Sequence, residues 1–274
     1  MSVDRNAPLG VFDSGLGGLT VVRALRQVLP AERIVYLGDT ARVPYGTKAP
    51  TTVVKYALAC ARRLVENGVK SLVVACNTVS AVAPEQLRIE LDIPVLGVID
   101  PGARAAVAAS KTGRIGVLAT TGTIASGAYP RAVAKISTRA EVVGQAAPLL
   151  VPLAEEGWTE GEVPRLAVRR YIEPFTRAGV DVIVLGCTHY PLLRRVIDEE
   201  VRSSIGPHVV VVDSAQSTAS DVRAFLQARG LARPEDHARD EAVRMLVTDV
   251  PRTFRETATR FLGADFGEVE QVDL

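Results

Sequence analysis

Short apolar runs alternate with amphipathic stretches along most of the chain. The runs at 7–12, 33–38, 71–75, 94–99, 114–119, 141–144, 180–186 and 208–213 are rich in Val and Ile, and polar side chains do not alternate through them. That pattern predicts strands buried on both faces, as in a parallel sheet covered by helices. Between the runs, apolar residues return at helical spacing. In 51–66 they are Val53, Val54, Ala57, Leu58, Ala61, Leu64 and Val65, after which Asn67-Gly68 supplies a stop. Strand then helix, repeated, predicts an α/β fold of doubly wound, mainly parallel sheets. No low-complexity tract interrupts it, and the charged stretch 233–244 is expected to be a solvated connection.

A weak internal repeat refines this picture. GVFDSG at 10–15 lines up with GVLATT at 116–121, Gly38-Asp39 with Gly144-Gln145, VVACNT at 73–78 with VLGCTH at 184–189, and VIDPG at 98–102 with VVDSA at 211–215. Equivalent features in one order at a nearly constant offset suggest two copies of one unit, each with a cysteine after its third strand. Parallel strands resemble one another cheaply, so the two Cys-polar-polar ends carry most of the argument. In open parallel sheets, ligands bind beyond the carboxyl ends of the strands. The polar residues there are Asp13-Ser14, Asp39-Thr40, Cys76-Asn77-Thr78, Asp100, Cys187-Thr188-His189 and Asp213-Ser214, and all are expected at one edge. Ser14, Asn77, Thr78 and Thr188 supply donors suited to a carboxylate.

Charge adds an exclusion. With 32 Lys+Arg against 31 Asp+Glu the net charge is +1, so no basic surplus argues for nucleic acid or a membrane surface, and a small-molecule partner becomes the expectation. No apolar stretch approaches the ~20 residues that span a bilayer. The start lacks the build of a signal peptide, and a cytoplasmic protein is expected. DSGLGGLT does not complete the dinucleotide fingerprint, because Thr20 holds the place of its third glycine. Gly15, Gly17 and Gly18 serve either a tight turn from strand to helix or carboxylate binding.

The three cysteines separate by position. Cys60 lies inside the helical pattern of 51–66 between Ala59 and Ala61 and reads as packing. Cys76 and Cys187 fall where strands give way to helices, a setting that favours reactive thiols. Either alone would read as a small core residue. Metal binding is a weak rival, since Cys187, His189, His208 and His237 form no finger or ribbon spacing. A redox pair would require the two thiols within bonding distance across a cleft, and a cysteine hydrolase would leave one unused. Two equivalent thiols facing one pocket fit inversion of a carbon centre, one removing a proton from one face while the other delivers one to the opposite face.

GVFDSGLGGLTV (10–21), GDTARVPYG (38–46), VVACNTVSA (73–81), PLLVPLAEEG (148–157) and VLGCTHYPLL (184–193) resemble the glutamate racemases of the aspartate/glutamate racemase superfamily, over nearly the whole chain. One departure is Ala147, where many relatives have a cysteine that is not one of the catalytic pair. The resemblance implies cofactor-independent racemisation of glutamate, with Cys76 and Cys187 as proton-transferring thiols. It implies Asp13 near the first, His189 near the second and Glu155 as a further acidic residue on the second side. Ser14, Tyr45, Gly46, Asn77, Thr78, Thr188 and His189, with Asp13, resemble the substrate-binding set. Tyr45 also reads as a packed loop aromatic, and Asp39 as a helix cap.

The same resemblance implies two facing α/β domains of pseudo-twofold symmetry with the site in the cleft between them. With crossovers at VIDPG and VVDSA, it gives 1–99 plus 211–274 as one domain and 100–210 as the other. It implies a homodimer and a supply of D-glutamate for peptidoglycan. Some relatives bind DNA gyrase or respond to a cell-wall precursor, and this near-neutral chain leaves both open. None of the five lysines follows a buried strand beside a phosphate loop, so pyridoxal phosphate is not expected. The competing readings are an aspartate or other amino-acid racemase of the superfamily and a non-catalytic carboxylate-binding protein.

Overall fold

Ten strands appear in a computed structural model that describes residues 4–234, 243–264 and 266–274. They are β1 Leu9–Asp13, β2 Ile34–Gly38, β3 Ser71–Val74, β4 Val95–Gly97, β5 Arg114–Ala119, β6 Glu141–Ala146, β7 Val182–Gly186, β8 Val210–Asp213, β9 Arg244–Val247 and β10 Val269–Gln271. One sheet has the order β10-β9-β2-β1-β3-β4 and the other β6-β5-β7-β8, and every pairing is parallel. The order β2-β1-β3-β4 recurs as β6-β5-β7-β8, with the strands matched as the internal repeat aligns them.

Helices cover both faces of each sheet. On the first sheet, Leu9 and Val11 pack with Leu19, Leu25, Ala219 and Phe261 on one side. Phe12, Leu72 and Val74 pack with Ala57, Cys60 and Leu64 of helix Pro50–Glu66 on the other. On the second sheet, Leu118 and Leu185 meet Val168, Ile172 and Phe175, while Val117 and Val184 meet Ala103, Ala106 and Val133. Central strands β1, β3 and β7 are buried throughout, as double coverage requires. Strand β6 is not, because it is an edge and exposes Glu141 and Gly144.

Several local expectations shift. The run 94–99 is a strand only over Val95–Gly97, since Ile99 already begins helix Ile99–Ala109, whose first turn accommodates Pro101. The second sheet keeps the chain through Asp213, past the return at 211. Most of the expected connection at 233–244, with His237, lies outside the described residues; its described end, from Val243, leads directly into β9. Among the described residues no helix is long and apolar enough to cross a membrane.

Candidate active site

The carboxyl ends of β1 and β3 face those of β5 and β7 across one cavity. Its lining includes Ser14, Tyr45, Gly46, Cys76, Asn77, Thr78, Glu155, Cys187, Thr188 and His189. Both strand-end cysteines therefore open onto one space, whereas Cys60 is fully buried in the core behind the first sheet.

The two thiols have different surroundings. Cys76 precedes the short helix Asn77–Val82, and its thiol donates to Ser14 Oγ at 3.5 Å. Burial, and then the charge of nearby Asp13, push this thiol up to about 12, so it holds its proton. Asp13 is itself fully buried and raised from the usual carboxylate range by desolvation, with the positive charge of His189 opposing. Its Oδ2 accepts from the Gly15 N–H at 3.0 Å, and Thr188 Oγ1 donates to Oδ1 at 3.4 Å.

Cys187 has an imidazole instead. Its Sγ lies 3.8 Å from His189 Nδ1, and His189 Nε2 lies 3.0 Å from Glu155 Oε1. Burial disfavours the His189 cation, but the contacts with Cys187 and Glu155 outweigh it and raise the group to about 10. Donating through Nε2 to the carboxylate orients the ring with Nδ1 toward sulfur. Cys187, His189 and Glu155 thus form a relay from the cavity wall to half-buried Glu155.

The remaining walls are polar and fixed. Tyr129 donates to Asn77 Oδ1 at 2.8 Å, while the buried Asn77 Nδ2 has no partner among the described residues and is available to a ligand oxygen. Hydroxyls of Thr78, Thr120 and Thr123 form a chain with two 3.0 Å links. Asp39 holds the N-cap position of the turn Thr40–Arg42 but its side chain makes no capping bond: its carboxylate accepts from the Tyr45 hydroxyl, from Arg42 Nε at 2.9 Å and from Thr248 Oγ1 at 2.9 Å. That network anchors the 43–46 lip, so Tyr45 is both packed and pocket-lining.

Not every strand-end residue converges. Asp100 is exposed in the first turn of its helix, Asp213 accepts from the Ala215 N–H at 2.8 Å, and Ser214 donates to the Leu185 carbonyl at 3.0 Å. They follow β4 and β8, which are sheet edges, while the cavity lies over the central strands. Gly15, Gly17 and Gly18 all have ordinary φ. Gly15 lines the cavity, and Gly17 and Gly18 supply space. A Cβ on Gly17 would sit 2.4 Å from Thr188 Oγ1 and 2.5 Å from His189 Nδ1, and one on Gly18 would sit 2.4 Å from Asp13 Cβ.

Val43, Pro44, Thr120 and Val151 also line the cavity and were not singled out from the sequence. The repeat carried a signal for Thr120, which GVLATT aligns with Ser14 of GVFDSG. Among the described residues no group of three or more His, Cys, Asp or Glu side chains is placed to hold a metal ion.

Two facing α/β layers thus each carry a thiol at a matched strand end. The sequence model of the family described as Asp/Glu/Hydantoin racemase matches residues 17–222, and the chain belongs to this family. Its relatives narrow the class to glutamate racemases. The chain is 52% identical to glutamate racemase from Geobacter metallireducens, over 97% of this chain and 96% of that protein. It is 46% identical to the enzyme of Neisseria meningitidis, over 100% and 99%. Among solved structures, glutamate racemase from Francisella tularensis in complex with D-glutamate superposes with a TM-score of 0.90 at 35% identity, covering 98% of each chain. The Escherichia coli enzyme in complex with L-glutamate and the activator UDP-MurNAc-ala superposes at 0.77 with 29% identity, covering 97% and 98%.

Proposed function

We propose that this racemase interconverts L- and D-glutamate without a cofactor, Cys76 and Cys187 acting on opposite faces of the α-carbon. The observation that carries this reading is that two thiols from equivalent strand ends line one cavity, each with its own proton partner.

A thiolate on one face takes the α-proton, so a C–H bond breaks and an S–H bond forms. The thiol on the other face then gives its proton to the carbanion, and the inverted amino acid leaves. The two sulfurs have exchanged protonation states, and His189 Nδ1 on one side and Asp13 on the other can return them. Carbanion formation is the costly step. Donors aimed at the substrate carboxylate, in a site screened from water, make it accessible; Asn77 Nδ2 and the hydroxyls of Ser14, Thr78 and Thr188 fill that part. Glutamate is the proposed substrate because the similar structures from Francisella tularensis and Escherichia coli hold its two enantiomers.

The wider setting rests on kinship with glutamate racemases: a cytoplasmic homodimer that supplies D-glutamate for peptidoglycan. We propose the domain division 1–99 plus 211–274 against 100–210, adjusted so that β8 stays whole. The test is the purified protein with each glutamate enantiomer in deuterated water, following optical rotation and α-deuterium together. Both should change, and glutamate should turn over much faster than aspartate. Equal or reversed preference moves the assignment to another racemase. Activity lost to a chelator and restored only by zinc contradicts the cofactor-free mechanism.

A further inference from the structure

Helix Phe254–Leu262 belongs to the core of the first sheet, where Phe254, Ala258, Phe261 and Leu262 pack with Leu9, Leu19 and Val22. Its last turn nevertheless touches the proton relay of the second layer at two places. The fully buried Phe261 ring meets His189 edge-on, with centroids 5.0 Å apart and planes at 79°. The neighbouring Arg260 donates through Nη1 to the backbone carbonyl of Glu155 at 2.5 Å, while its Nη2 pairs with Glu256 at 3.0 Å.

Glu155 is the last residue of helix Leu150–Glu155, and its carbonyl is one of those a helix end leaves without an intrahelical partner. A guanidinium there satisfies that carbonyl and suits the negative end of the helix dipole. The following turn is shaped to admit it. Gly157 has φ +75°, and a Cβ there would lie 2.8 Å from Arg260 Cζ. The glycine closing VPLAEEG therefore both takes the left-handed conformation and lets the arginine lie flush.

We infer that Arg260 and Phe261 are positioning residues for Cys187, acting across the cleft through Glu155 and His189. The inference rests on the proposed two-thiol racemisation. His189 is held to Cys187 and Glu155 through its two ring nitrogens, and these contacts leave the tilt of the ring free. The edge of Phe261 sets that tilt, and Arg260 fixes the helix end that carries the carboxylate. Cys76 has its direct contact with Ser14 and is reached from His189 only by way of Thr188 and Asp13, so the effect is lopsided: it tunes transfer at Cys187 more than transfer at Cys76.

That imbalance gives a readout that loss of folded protein cannot imitate. The enantiomer served by Cys187 is identified first, as the one whose α-proton the Cys76→Ser variant still exchanges. Primary deuterium isotope effects on kcat/KM are then measured with each α-deuterated enantiomer for wild type, Arg260→Ala, Arg260→Lys and Phe261→Leu. Arg260→Ala and Phe261→Leu should lower kcat roughly tenfold, a fraction of what loss of a general acid–base group costs. In both variants the isotope effect should rise for the Cys187-served enantiomer, whose abstraction has become slower. It should fall for the other, whose abstraction at Cys76 is less affected than its reprotonation at Cys187. Arg260→Lys, which keeps a cationic donor, should recover most of the wild-type pattern. Unchanged kcat, or reduced kcat with both isotope effects unaltered, overturns the positioning role. Exchange of the same enantiomer's α-proton by Cys76→Ser and by Cys187→Ser instead overturns the two-thiol reading beneath it.

Discussion

His189 is buried, which disfavours its cation, yet it meets Cys187 Sγ at 3.8 Å and Glu155 Oε1 at 3.0 Å and is raised from 6.5 to about 10. A group whose value is higher folded than unfolded stabilises the fold while both states are protonated, and the gain is lost as pH rises through the folded value. The stability that His189 contributes should therefore be complete below about pH 6.5 and vanish through about pH 10. Denaturant titrations of wild type and His189→Gln across that range should converge toward the alkaline end, and a constant difference would contradict the assignment. Glu155→Gln should move the alkaline limb of kcat/KM to lower pH, because it removes a charge that holds the imidazolium.

Cys60 gives the opposite case. It is fully buried in the core behind the first sheet and does not line the cavity, so substrate cannot reach it. Cys60→Ala should cost about 1 kcal/mol, roughly one buried methylene-sized group, and leave turnover near wild type. Thiol reagents should label Cys76 or Cys187, with substrate protecting; inactivation with label on Cys60 alone would contradict this.

At the scale of elements, the loop from β1 into helix Leu19–Val28 shows how backbone economy serves the site. Its glycines allow the first layer to approach Thr188 and His189 closely, and Thr20 Oγ1 donates to the Thr188 carbonyl at 3.0 Å across the same junction. Gly17→Ala must push the His189 ring or the loop aside. A misplacement of about 1 Å costs on the order of a hundredfold in rate, so kcat should fall by that order while circular dichroism stays that of wild type. A Gly17→Ala enzyme at full rate would show that the close approach is dispensable.

The strands around the site were legible because continuous Val/Ile runs this short have few uses other than a buried strand. The two strands added beyond β2 in the first sheet were not. Strands β9 and β10 are only four and three residues long, and β10, Val-Glu-Gln at an edge, has no apolar run to betray it. The site divides the same way. Cys76, Cys187 and His189 follow from position at strand ends, whereas Asp39 turns inward to Tyr45 because the lip folds back over it. Arg260 and Phe261 sit in an ordinary amphipathic helix, and only the tertiary fold brings them to Glu155 and His189.

Across the whole molecule, one strand order used twice places Cys76 after β3 and Cys187 after β7, in equivalent positions of facing layers. The repeat in the sequence anticipated this, because its offsets pair those same strands. The repeated strand order supplies like groups on two sides, and they have unlike partners: Asp13 and Ser14 near one, His189 and Glu155 near the other. Such a site suits a reaction whose two half-steps differ only in the face of the carbon.

The most direct measurement is α-proton exchange of each glutamate enantiomer in deuterated water by Cys76→Ser and by Cys187→Ser. A serine hydroxyl is much harder to ionise than a thiol, so racemisation should fall by about 10²–10⁴ in both directions in each variant. Exchange should survive for one enantiomer only, the one presented to the intact thiol, and the two variants should retain opposite enantiomers. The same retained enantiomer in both, or wild-type racemisation by either, would contradict two thiols acting from opposite faces.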